Sequence, residues 1–195
     1  MAILLVLFVI IGGIVLYVFL TYNKFVTTKT RIKASVQEIG NQLKRQSNLI
    51  PNLVESVKGY MKHEKEVFDK LTEARKAVTA ALGTTDAQKM IDAGAKLQTA
   101  LAPIRAVFES TPELQAAKPT VKLMDELRDT ADKLMYARRT LIDLTADFNV
   151  MIMTIPSKFI ASIFGFKQET GLKAPKEGEH LEVSAKETKA PKVKL

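Results

Sequence analysis

Cysteine and tryptophan are missing from this 195-residue chain, and histidine occurs twice. Without cysteine there are no disulfides, thiol nucleophiles or thiolate metal sites. The pair His63-Glu64 opens a zinc-protease pattern that needs a second histidine four residues on, and Val67 stands there instead. A di-iron bundle needs two Glu-x-x-His pairs on core helices, whereas one match, Glu177 to His180, falls near the C-terminus. Phosphate loops, dinucleotide fingerprints, calcium loops and Gly-x-Ser-x-Gly elbows are absent too. These gaps predict a protein without enzymatic activity, catalytic residues, bound metal or cofactor, and with no evident small-molecule substrate.

Side-chain charge is also missing from the first 23 residues. Residues 2–22, AILLVLFVIIGGIVLYVFLTY, form one apolar run. As a helix it would rise about 30 Å, the thickness of a bilayer's hydrocarbon core. It lacks the basic start and small-residue cleavage site of a secretory signal, so the expectation is a retained transmembrane anchor. Gly12 and Gly13 have no small partner at GxxxG spacing and read as tolerated glycines. Lys24, Lys29, Arg31 and Lys33 follow the run before any acid, which first appears at Glu38. That asymmetry predicts a short external N-terminus, a cytoplasmic C-terminal part and location in the cell membrane. Tyr17 and Tyr22 suit an aromatic girdle on the inner face. The four cations are candidate membrane-surface residues facing anionic headgroups.

The net charge of +8 is otherwise dispersed; residues 167–195 hold seven Lys against five Glu. No groove-reading motif or aromatic platform accompanies it, so nucleic acid is not an expected partner. Lys44-Arg45 reads as a solvated helix face rather than an anion site.

Beyond the anchor, apolar residues recur at helical spacing. Four segments carry the stripe: Phe25 to Leu43, Leu53 to Leu82, Met90 to Phe108 and Val121 to Ile155. Pro51 either opens a second helix or kinks a continuous one, because Leu43, Ile50 and Val54 nearly keep the period across it. Gly83 suits a helix end, Thr85 with Gln88 suits a capping box, and Pro103 should kink the third helix. Pro112 and Pro119 bracket a connecting loop. The fold expected is all-α: a transmembrane helix at 1–22, an antiparallel four-helix bundle at 23–166 and a disordered, flexible tail at 167–195.

One stretch carries more information than its period requires. It comprises Leu43-Lys44-Arg45, then Leu49-Ile50-Pro51-Asn52-Leu53-Val54, Gly59-Tyr60 and Glu64, with Arg75 beyond. This closely resembles the LemA family signature. Glu109 with Pro112, then Arg138, Asn149 and Pro156, and the terminal Pro191-Lys192-Val193, are similar to family features in the same order. Departures stand at Thr111, Ala131 and Leu141-Ile142. The resemblance implies a membrane-anchored four-helix protein with no established reaction.

Glu64 and Arg138 fall between apolar stripe positions. A charge facing a helical core needs a partner to offset desolvation. A polar layer joining Glu64 or Glu109 to Arg75 or Arg138 would fix helix register; side chains reaching the rim would contribute little. The functional expectation is a scaffold or protein-interaction module at the cytoplasmic membrane face. Its partners would be the lipid bilayer and an unknown protein, with self-association possible; a membrane-linked signal-transduction component is the alternative.

Overall fold

A computed structural model describes residues 1–61 and 64–173. Six helices occur among them: α1 (Ala2–Val57), α2 (Glu64–Leu82), α3 (Ala87–Ser110), α4 (Pro112–Ala116), α5 (Lys118–Met153) and α6 (Ser157–Ile163). No strand occurs among the described residues, so the all-helical expectation holds.

α1 resolves the alternative at Pro51 in favour of one helix, 56 residues long. Phe25, Ile32, Ile39, Leu43, Gln46, Ile50, Leu53 and Val57 are all buried. Their steps of seven, four and three keep one face inward on both sides of the proline. Proline cannot donate to the carbonyl of Ser47, but its ring is exposed and the packed stripe continues past it. Leu53 and Val57 therefore belong to α1, not to the second segment. The next helix begins at Glu64, after a 3-10 turn at Lys58–Tyr60 and an extended Met61.

α1 is the common partner. It packs along α5, and α2 and α3 pair with each other against it. Phe25 meets Phe148, and Arg45 lies 3.6 Å from Glu126. α3 approaches α1 closely at Gly94, where an added Cβ would fall 2.9 Å from Leu43 Cδ2.

Two local expectations change. The cap of α3 is Asp86, whose carboxylate accepts from the backbone N–H groups of Gln88 (2.9 Å) and Lys89 (3.2 Å). Thr85 is thus not the cap; the more acidic neighbour one residue later satisfies the orphan donors. The segment between Pro112 and Pro119 is not an open loop, because α4 forms there with Pro112 first and Leu114 buried. Pro119 occupies the second position of α5, where its missing N–H costs nothing. α3 continues through Pro103.

Residues 167–173 were expected to begin the flexible tail, yet they lie against the helices. The Asn149 side chain donates to Glu169 O (3.0 Å) and accepts from Glu169 N (2.9 Å). Lys173 N donates to Gln88 Oε1 (2.9 Å), and Leu172 packs on the core. The rest of the expected tail, with Glu177, His180 and Pro191-Lys192-Val193, lies outside the described residues.

Candidate functional site

Two regions stand out, an aromatic junction beside the apolar run and a polar layer further along the body. The run itself is long and apolar enough to cross a membrane, and none of that window is buried by the other described residues. At its end the Tyr22 ring lies 4.8 Å from Phe164 and 5.8 Å from Phe166. Phe166 stacks on Phe25 (4.8 Å), and Phe148 meets Phe25 edge-on (5.7 Å).

This cluster depends on how α6 ends. Gly165 adopts φ +71°, in the left-handed region, while Phe166 N bonds to Ala161 O and Gly165 N to Ser162 O. That paired closure turns the chain sharply and carries Phe166 back onto α1. Upstream, the single Ser157 hydroxyl proton is shared between Met151 O (2.6 Å) and Thr154 O (2.9 Å), tying α6 to the end of α5.

The four candidate membrane-surface cations do not form one ring. Lys24, Arg31 and Lys33 are exposed, whereas Lys29 pairs with the Glu169 carboxylate at 3.0 Å. With a rise of 1.5 Å per residue, Lys33 stands roughly 16 Å beyond Tyr22 along the helix. Lys24 is the cation nearest the end of the run.

The polar layer is built from residues other than those expected. Gln46 is fully buried on α1, and its Oε1 accepts from Gln98 Nε2 at 3.2 Å. Gln98 Oε1 in turn accepts from the Arg105 guanidinium. Gln46 Nε2 has no partner among the described residues. Gln98 and Arg105 line a cleft of about 370 Å³ between α3 and α5, with Glu109, Asp125, Arg128 and Asp132 at its wall. Its mixed charges and open side suit water and counter-charges.

Arg75 and Arg138 are half-buried and Glu109 is exposed; neither arginine is ion-paired to Glu109 among the described residues. His63 and the Glu64 side chain lie outside the described residues. The sequence signal for the observed layer was available, because Gln46 occupies a stripe position three residues after Leu43 and four before Ile50.

The motif residues divide by role. Leu43, Ile50 and Leu53 are core, with Leu49 and Val54 half-buried beside them. Lys44, Asn52, Gly59 and Tyr60 face outward, as do Pro51, Pro112 and Pro156. Arg45 reaches Glu126, and Asn149 holds Glu169. The apolar part of the signature therefore serves packing, Arg45 and Asn149 tether the chain, and as many signature residues face outward. Among the described residues, no group of three His, Asp or Glu side chains is placed to hold a metal ion.

The chain is similar to magnetosome protein MamQ of Magnetospirillum gryphiswaldense, 26% identical over 170 residues. The similarity covers 75% of this chain and 62% of that relative, so the chain spans less than two thirds of the relative's length. The LemA family profile matches residues 35–194. With its apolar N-terminal helix, continuous α1 stripe and helical body, the chain belongs to the LemA family.

Proposed function

We propose that this chain is a single-pass, membrane-anchored interaction module without enzymatic activity, carrying its helical body on the cytoplasmic side. The finer arrangement in this reading is an antiparallel four-helix bundle of α1, α2, α3 and α5. The opposed pairs Phe25–Phe148 and Arg45–Glu126 support it. The observation that carries the functional reading is the continuity of α1, which joins the uncovered apolar run to the packed stripe without a break. Such a rod holds a surface at fixed height over a bilayer. The cytoplasmic side follows from the cations behind the run. The body offers an apolar-floored groove of about 680 Å³ between α2 and α3, walled by Ala74, Ala77, Ala95, Ala100 and Pro103. A protein partner or a second copy would be held there.

Crosslinking in intact membranes, followed by mass spectrometry, tests this. A reproducible neighbour crosslinked through Lys70 or Lys96 at the groove is expected; monomer alone would count against the reading. The same continuity favours signal relay as a second reading, since a rigid rod transmits displacement of the span. Two glycines inserted after Asn23 would abolish relay while leaving partner capture intact.

A further inference from the structure

α6 is apolar on two sides, and the described residues cover one of them. Ile160 and Ala161 face inward, 4% and 2% exposed. Phe159 and Ile163, one turn apart, face outward at 61% and 77%. Ile155 before the helix and Phe164 after it extend the outer face. An exposed apolar face costs free energy in water, and contiguous exposed apolar surface marks a contact site.

Position identifies the occupant. α6 packs on α1 at the end of the apolar run, where Phe164 touches Tyr22. Phe164 links the outer face to Tyr22, and Phe19 and Leu20 just before it in the run are exposed as well. With that run across a bilayer, α6 stands at the level where acyl chains meet headgroups. Lys158 and Lys167, both exposed, flank the patch and can extend their ammonium groups to lipid phosphates. We propose that α6 and its flanks form a second membrane contact, an interfacial wedge inserted beside the transmembrane helix in the same leaflet. This rests on the anchored reading above. Two contacts, unlike one, would fix the tilt and rotation of the body over the membrane.

The absence of tryptophan makes the test direct. Full-length Phe8→Trp, Phe159→Trp and Tyr136→Trp variants each carry one reporter, in vesicles of mixed zwitterionic and anionic lipids. Tyr136 lies about 18 Å along α5 from the Phe148 level. The vesicles carry bromine either high or low on the acyl chain. Expected are quenching at position 8, a blue-shifted position 159 quenched most by the shallow label, and position 136 unaffected. Quenching at 8 with a 159 signal like that at 136 overturns the wedge while leaving the anchor standing. No quenching at 8 overturns both. A blue-shifted 159 signal that ignores lipid bromine and grows with protein density would show a second copy on this face, which also overturns the proposal.

Discussion

Phe25 shows how much can rest on one side chain. It is fully buried, edge-on to Phe148 and stacked on Phe166, so it joins α1, α5 and the chain leaving α6. Phe25→Ala should cost about 3–5 kcal/mol through lost burial and the cavity left behind. The unfolding midpoint in detergent, followed by circular dichroism, checks this; a loss under about 1 kcal/mol would mean the aromatic junction contributes little. Gln46 makes the opposite case. Among the described residues its amide nitrogen is buried without a partner, and its amide oxygen accepts from a glutamine bordering a cleft. Gln46→Leu should therefore shift stability by no more than about 1 kcal/mol, because losing that bond is offset by removing an unsatisfied donor. A large loss in the same assay would show the polar layer to be a strong stabilising element. Gln46 was legible by spacing alone, but an apolar scan passes over a polar residue on a core stripe. Asp86 was missed for another reason: Thr85 and Asp86 are both good caps, and only backbone geometry chooses between them.

At the scale of elements, the periodic signal was strong where helices were long. The stripe of α3 was readable almost to its ends, whereas that of α5 was readable at Leu127, Leu141 and Phe148; Ile155, expected to close it, lies beyond the helix and is exposed. Short elements were not legible. α4 has one buried anchor, Leu114, and α6 is set by a serine tether and a left-handed glycine rather than by period. The tether from Asn149 to Glu169 could not be read either, because its partner is backbone twenty residues away. Asn149→Ala should loosen the chain at Glu169, raising its amide exchange with little change in global unfolding; unchanged exchange would contradict the tether. At Pro51 two effects compete. The ring removes a hydrogen bond to Ser47 O and crowds that carbonyl, while burial of the same face on both sides keeps the helix intact. Pro51→Ala should raise stability by up to about 3 kcal/mol. An unchanged or lowered unfolding midpoint would show that the proline is accommodated without cost.

For the whole molecule, the decisive quantity is uncovered apolar surface. Leu4, Leu5, Ile10, Ile14, Leu16 and Phe19 are each more than half exposed, and nothing in the described chain packs over them. Each such side chain costs about 1.5–3 kcal/mol to leave in water, so the run as a whole would be strongly unfavourable there. A bilayer removes that cost, and α1 then sets the body over the surface. The measurement that bears most directly on this is fractionation of the full-length chain after an alkaline carbonate wash. The account predicts that it stays in the membrane pellet and is released by detergent alone; its recovery, intact and detergent-free, in the high-speed supernatant would contradict it.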